Sequence, residues 1–264
     1  MIRNIILFCS LAFCQVAWSG VITVTQDVLV GRSLIGIKDY DPTDFYLPSD
    51  DQQKSPVLVF LQGGKVDKKH YSEFAKSLAA QGVVVGIANH DSVLGKNFTS
   101  QRVLTGVWQH LLTQSSQQGS VFFERIDRQK LFVMGHSFGG TAVSNFLENT
   151  CTLPVCIGRI ERPNELLGGI FFGFHRVGKS IQAGIPVHWV QGSLDNLAEA
   201  QETFDDVVGE KSFTVIEGAN HFGITNENNP EGAVKDDVIP ELSQQESIGM
   251  IAESVLGFIK SRRQ

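Results

Sequence analysis

The chain lacks several features that mark specialised classes of protein. Its 264 residues show no internal repeat, no low-complexity tract and no linker rich in proline, glycine or serine. With 42% hydrophobic and 19% charged residues, the composition excludes a disordered, collagen-like or coiled-coil chain. These absences, and enough apolar material for one large core, predict a single globular domain over residues 20–264.

An excess of positive charge is also missing. Lys and Arg number 22 against 28 Asp and Glu, which gives a formal net charge of -6. Binding to a phosphate backbone requires a broad positive field, and this composition does not supply one. We therefore expect no nucleic-acid partner.

The N-terminal apolar run is too short to span a membrane. Ile5–Phe13 follows the basic Arg3, and the segment ends in Ala17-Trp18-Ser19, with small residues at the two positions that a signal peptidase reads. A bilayer span needs ~20 apolar residues, so an uncleaved anchor is the weaker alternative. Residues 1–19 are predicted to be a signal peptide, which implies a secreted or periplasmic protein without stable membrane insertion. Lipidation of Cys14 is a minor alternative.

Cysteines are few. The chain has four, and Cys9 and Cys14 lie in the predicted signal peptide. The exported chain would keep Cys151 and Cys156, on either side of Pro154. An oxidising compartment favours a disulfide between them, and two buried thiols are the alternative.

Metal and phosphate motifs are absent as well. No His-x-x-x-His pair occurs, and no second pair of ligands follows the two cysteines, so we expect no metal site. The run Gln62-Gly63-Gly64-Lys65 lacks the leading glycine and the spacing of a phosphate-binding loop. We expect the protein to need no cofactor.

What the sequence does contain is an alternation of short apolar runs and amphipathic segments. The predicted strands are Val21–Thr25, Leu34–Ile37, Asp44–Leu47, Pro56–Leu61, Val83–Ile87, Leu131–Met134, Gly169–Phe172, Val187–Gln191 and Ser212–Ile216. The predicted helices lie at 71–79, Ser100–Gln114, Phe138–Asn149, Leu197–Val208 and after a capping box at Ser243 and Glu246. This order predicts an α/β fold with a mostly parallel central sheet, antiparallel N-terminal strands and helices on both faces.

One strand leads directly into a nucleophile motif. Leu131–Met134 is followed by Gly135–Gly140, which reads Gly-His-Ser-Phe-Gly-Gly, and then by a predicted helix. A Gly-x-Ser-x-Gly turn between a strand and a helix projects a serine hydroxyl above the sheet. Ser137 is therefore the predicted nucleophile, and His136 is interpreted as its structural neighbour.

The chain resembles the α/β-hydrolase superfamily from about residue 30 to residue 260. Within it, the sequence is most similar to secreted polyester-hydrolase and cutinase-like enzymes and to dienelactone-hydrolase-related and chlorophyllase-like serine hydrolases. The segments that carry the resemblance are Pro56–Gly64, Tyr71–Ala75, Gly135–Gly140 and Gly218–Phe222.

The resemblance implies a catalytic triad in the order Ser, acid, His. His221, in the loop after the last strand, matches the position of the base. His175, just after a strand, and His188, inside one, are the other downstream histidines.

For the acid, the resemblance points to the loop that follows Val187–Gln191. Asp195 occupies this loop. The competing carboxylates are Asp205 and Asp206, on the next predicted helix, and Glu217, which is close in sequence to His221.

An oxyanion hole needs backbone N–H donors. The resemblance implies the N–H groups of Phe138 and Gly64, with Gly63 as the alternative to Gly64. Gln62 stands where the family usually has histidine, which puts the conformation of this loop in question.

Aromatic side chains predict the character of the substrate pocket. Gly63 and Phe222 are the predicted substrate contacts. His90 and Asp91 are expected near the rim, where stabilising the loop is favoured over binding the substrate. Five phenylalanines on elements that lead to the cleft suggest an apolar acyl site, with ordinary core packing as the alternative for some of them: Phe138, Phe171, Phe172, Phe174 and Phe222.

Together these residues predict hydrolysis of small-molecule or polymeric carboxylic esters through an acyl-enzyme. A serine peptidase or amidase of the same fold is the alternative within enzymes. A non-catalytic binding module is the alternative outside them.

Overall fold

The computed structural model describes most of the chain. The described residues are 20–32, 38–50, 52–88, 100–148, 162–176, 180–233 and 237–262. Several predictions lie outside these ranges: the signal peptide, the strand Leu34–Ile37, the residues His90 and Asp91, and the disulfide between Cys151 and Cys156.

The strands form one large sheet and one small pair. In chain order they are β1 (Val21–Arg32), β2 (Lys38–Pro48), β3 (Ser55–Leu61), β4 (Val84–Ala88), β5 (Ile126–His136), β6 (Leu166–Phe172), β7 (Ile181–Gln182), β8 (Val187–Gly192), β9 (Val207–Val208) and β10 (Lys211–Ile216). Within the described residues, eight of them form the main sheet in the order β1-β2-β4-β3-β5-β6-β8-β10, and β7 pairs with β9.

Strand directions confirm the predicted fold class. β1 runs antiparallel to β2, and β2 runs antiparallel to β4. From β4 to β10, neighbouring strands of the main sheet are parallel. The fold is therefore α/β with a mostly parallel sheet and antiparallel N-terminal strands.

Helices cover both faces of the sheet. They are α1 (Ser72–Ala79), α2 (Ser100–Gln114), α3 (Phe138–Leu147), α4 (Leu197–Asp205) and α5 (Gln244–Ser261), and a short 3-10 helix, Lys68–Tyr71, precedes α1. α2 and α3 pack on one face, and α1 and α5 pack on the other. None of the helices that the structure describes is long and apolar enough to cross a bilayer.

The apolar run of β3 is explained by these two layers. Every residue of the strand is buried. Val57 and Val59 point into the core under α2 and α3, whereas Leu58 and Phe60 point into the core under α1 and α5. A strand that is covered on both faces needs apolar residues at consecutive positions, because side chains alternate between the faces.

Several element boundaries differ from the predictions, among them those of β1 and α4. β1 continues to Arg32, and its residues up to Leu29 pair in register with β2. The helix predicted over Leu197–Val208 ends at Asp205, and Val207–Val208 instead pairs with Ile181–Gln182. Val207 is buried in the core, and β-branched valines fit an extended backbone better than a helix end.

The aromatic packing under α1 provides a test of the core. Phe74 is fully buried, and its ring centroid lies 5.8 Å from that of Phe60. We expect Phe74→Ala to lower the free energy of unfolding by about 3–5 kcal/mol, since it removes buried surface and leaves a cavity. Met250→Ala, on the exposed face of α5, should change it by less than about 0.5 kcal/mol. Equal urea concentrations at the midpoint of unfolding for the two variants would contradict the packing of Phe74 in the core.

Candidate functional site

The predicted site residues meet at one edge of the sheet. Gly63 and Gly64 follow β3, Ser137 follows β5, Asp195 follows β8 and His221 follows β10. The carboxyl ends of parallel strands lie at the same edge, so segments distant in sequence converge there. The loops after these four strands form the candidate site.

Ser137 occupies a sharp turn with an unusual backbone. Its φ is 50° and its ψ is -116°, and its N–H donates to the carbonyl of Phe172 at 2.9 Å. A Cβ on Gly135 would overlap the backbone of Gly139, and a Cβ on Gly139 would overlap the carbonyl of Leu61. Glycine at both positions thus permits the close approach of α3 to β3 and β5 that holds the serine in this conformation.

Ser137 opens onto a small pocket of about 160 Å³. Gly63, Gly64, Phe138, His221 and Phe222 line it with the serine. Phe138 is 46% exposed, so its ring stands at the mouth of the pocket. Two of the five predicted pocket phenylalanines therefore contact the space beside the serine.

The other three phenylalanines belong to the core. The rings of Phe171 and Trp189 stack with centroids 4.2 Å apart, and Phe174 stacks on Phe171 at 5.2 Å. Phe172 is fully buried against the ring of His136. Their positions near the strand ends indicated a pocket, but their side chains fill the interior beneath it.

Asp195 and His221 form a buried pair. The Asp195 Oδ2 lies 2.9 Å from the His221 Nδ1, and the two side chains are 5% and 13% exposed. The Gln191 side-chain amide donates to the same Oδ2 at 2.9 Å and to the backbone carbonyl of Asp195. This geometry places a proton on Nδ1 of His221 and leaves Nε2 as the basic nitrogen of the neutral ring.

The serine and the histidine line the same pocket. Among the hydrogen bonds of the described residues, none joins the Ser137 hydroxyl to the His221 ring. Catalytic hydrogen bonds are often long in enzymes without substrate and shorten when it binds.

The competing histidines have other partners. His175 Nε2 lies 3.2 Å from Glu199. The ring of His188 bonds to the hydroxyls of Ser212 and Ser254, each at 2.8 Å. Among the described residues, His221 is the one downstream histidine that lines the pocket with Ser137.

The competing carboxylates also lie elsewhere. Asp205 accepts a hydrogen bond from Gln201 on the exposed side of α4, and Asp206 is the C-terminal cap of that helix. Glu217 is exposed. The contact with His221 Nδ1 is made by Asp195.

The two candidate oxyanion glycines differ in their hydrogen bonding. The Gly63 N–H donates to the Tyr71 hydroxyl at 2.9 Å. Gly64 lines the pocket, and its N–H is not engaged by another group in the described part of the chain. Phe138 begins α3, where backbone N–H groups have no partner within the helix. Gly64 and Phe138 thus both have N–H groups available beside Ser137 in the described part of the chain.

Sequence reasoning missed the groups that hold the backbone of His221. Its N–H donates to Asp237 Oδ2 at 2.6 Å, and its carbonyl accepts from Nε2 of His136 at 2.9 Å. Nothing in the sequence around Asp237 indicated this contact. The motif places His136 beside the nucleophile, but the partners of its ring, Tyr71 and the His221 carbonyl, lie far away along the chain.

Tyr71 is the second missed residue. Its hydroxyl lies 2.9 Å from Nδ1 of His136, and both side chains are fully buried. Burial raises the pKa of Tyr71. Burial, followed by repulsion from His221, holds the pKa of His136 well below 6.5. Both side chains are therefore neutral at pH 7.

The chain matches no protein-family model and no curated protein. Within the described residues, no group of three or more His, Cys, Asp or Glu side chains is placed to hold a metal ion.

The burial of His188 gives the stability a pH dependence. Desolvation lowers its pKa from 6.5 to about 4 in the folded protein. Between these two pH values the unfolded chain binds more protons than the folded one, so acid destabilises the fold. We expect His188 to contribute a loss of about 3 kcal/mol in the free energy of unfolding as the pH falls from 7 to 4.

Urea denaturation of wild type and His188→Gln across this pH range measures that contribution. The variant should lose less stability on acidification than the wild type. An identical pH dependence in the two proteins would show that His188 is not held neutral.

Proposed function

We propose that the chain is a serine hydrolase of the α/β-hydrolase superfamily that cleaves carboxylic esters. The observation that carries the proposal is the strained Ser137 in the same pocket as His221, whose ring pairs with Asp195. A nucleophile, a base and a carboxylate that orients the base are the groups that acyl transfer requires.

In the first half-reaction, Ser137 Oγ attacks the ester carbonyl carbon while His221 Nε2 takes its proton. The negative charge on the carbonyl oxygen is stabilised by the N–H groups of Gly64 and Phe138. When the tetrahedral intermediate collapses, the ester C–O bond breaks. The leaving alcohol takes the proton from His221, and the acyl group stays on Ser137.

In the second half-reaction, His221 removes a proton from water, which attacks the acyl carbon. Collapse of this intermediate returns the proton to Ser137 Oγ and releases the carboxylic acid. Throughout, Asp195 keeps the ring of His221 in the Nδ1–H tautomer and stabilises the imidazolium that forms in each half-reaction.

The pocket supports a substrate with a small acyl group. Its volume of about 160 Å³ is below the roughly 300–1,000 Å³ of pockets that enclose a drug-sized ligand. Phe138 and Phe222 give it apolar walls. We infer that the acyl part enters this pocket while the alcohol part of a small ester or a polyester stays outside. Residues 1–19 support secretion or a periplasmic location for this activity.

Ser137→Ala tests the nucleophile. Wild type should react with a fluorophosphonate probe at Ser137 and hydrolyse p-nitrophenyl esters, with turnover falling as the acyl chain lengthens beyond the pocket. The variant should take no label, and its kcat should fall by roughly 10⁴–10⁶-fold. Ser116→Ala, an exposed serine that does not line the pocket, is the matched control.

Two other outcomes separate the alternatives. Labelling at Ser137 without ester turnover would favour a peptidase or amidase. A folded wild-type protein that takes no label would favour a non-catalytic binding module.

Asp195→Asn tests the orientation of the base. An asparagine amide cannot hold His221 in the required tautomer as a carboxylate does, so we expect kcat to fall by about 10⁴-fold. Asp205→Asn removes a similar charge from the exposed side of α4 and should leave kcat unchanged. If the two variants had similar kcat values, Asp195 would not be the residue that orients His221.

A further inference from the structure

A chain of hydrogen bonds connects the two loops on either side of Ser137. The Gly63 N–H donates to the Tyr71 hydroxyl, which lies 2.9 Å from His136 Nδ1. On its other side, the His136 ring bonds through Nε2 to the carbonyl of His221 at 2.9 Å. The connection runs from the loop with the proposed oxyanion donor to the loop with the proposed base. We name Tyr71 and His136 the buried relay.

The direction of each hydrogen bond in the buried relay is fixed. The carbonyl of His221 only accepts, so Nε2 of His136 must carry a proton. A neutral His136 ring then has a lone pair on Nδ1, and this lone pair accepts from the Tyr71 O–H. The Tyr71 oxygen in turn accepts from the Gly63 N–H.

The buried relay also fixes the position of Gly63 by direct contact. A Cβ on Gly63 would lie 2.9 Å from Nδ1 of His136 and 3.2 Å from the Tyr71 hydroxyl. The backbone of Gly63 therefore rests directly on both side chains. A shift of either one moves Gly63 and, with it, the adjacent Gly64.

Surrounding rings hold the relay in place. The Tyr71 ring packs on Phe60 with centroids 4.9 Å apart, and the His136 ring packs on Phe172 at 5.6 Å. Both relay side chains have no exposed surface. Loss of one hydrogen bond would therefore leave a buried polar group without a partner.

We propose that Tyr71 and His136 are positioning residues, which set the distance between the oxyanion loop and the general base across the Ser137 turn. Neither residue takes part in a bond-breaking step. The proposal rests on the proposed serine hydrolase function.

Tyr71→Phe removes one hydroxyl and keeps the ring. We expect kcat for p-nitrophenyl acetate to fall by about 10- to 100-fold, because small displacements of catalytic groups are costly, while KM changes by less than about threefold. Tyr46→Phe is the matched control: Tyr46 is buried in the same core but does not line the pocket. Its kinetics should match those of wild type.

Substitutions of His136 test the other end of the relay. His136→Gln keeps an N–H donor for the His221 carbonyl, whereas His136→Phe has none, so the glutamine variant should retain more activity. If Tyr71 and His136 act as one unit, the kcat loss of the double variant Tyr71→Phe/His136→Phe should be smaller than the product of the two single-variant losses, because each single variant already breaks the hydrogen bond between them. Two results would overturn the positioning role: fully additive losses in kcat for the double variant, or equal kcat values for His136→Gln and His136→Phe.

NMR of the histidine ring nitrogens provides a measurement that does not depend on activity. In ¹⁵N-labelled wild type, the His136 ring should be neutral and protonated at Nε2 at pH 7. A ring protonated at Nδ1 would overturn the relay even if the variants fail to fold.

The experiments distinguish an error in the positioning role of Tyr71 and His136 from an error in the proposed hydrolase function. If wild type hydrolyses esters and Tyr71→Phe behaves like Tyr46→Phe, the positioning role is wrong and the serine hydrolase stands. If wild type takes no label at Ser137, the hydrolase proposal and the positioning role are both wrong.

Discussion

The approach of α3 to the ends of β3 and β5 is the constraint on which the candidate site depends. Gly139 lies against the carbonyl of Leu61, and Gly135 lies against Gly139, at distances that leave no space for a Cβ. This contact between backbones keeps Ser137 at a positive φ, which serine rarely adopts. Core packing on both faces of the sheet resists relaxation of the turn, so the strain is supported by the whole domain.

Electrostatics at the site depend on two histidines with different surroundings. The ring centroids of His136 and His221 are 4.8 Å apart. The proposed mechanism makes His221 positive during each half-reaction, and a charged His136 at this distance would oppose that step. Burial keeps His136 neutral, while Asp195 supplies the negative charge that His221 needs.

Patterns among neighbouring residues predicted the features that depend on neighbouring residues, namely strands and tight turns. The consecutive apolar residues of β3 indicated a strand covered on both faces, and the glycines around Ser137 indicated a tight turn. Asp195 and His221 were predicted because they match the positions of the acid and the base in the superfamily that the chain resembles, in loops that follow parallel strands. Tyr71 and Asp237 were missed because their contacts join segments far apart in the sequence, and neither residue type signals such a contact. For the same reason, the phenylalanines near the strand ends could not be divided between pocket and core before the register of the strands was known.

The buried relay consists of neutral groups with no exposed surface. Salt weakens attraction between exposed charges, such as the surface pair of Lys69 and Glu231, but has little effect on hydrogen bonds between uncharged groups in the interior. The spacing between the loop with the proposed oxyanion donor and the loop with the proposed base should therefore be the same in dilute buffer and in concentrated salt. If residues 1–19 direct export as proposed, the proposed active site would keep its geometry in surroundings of variable ionic strength.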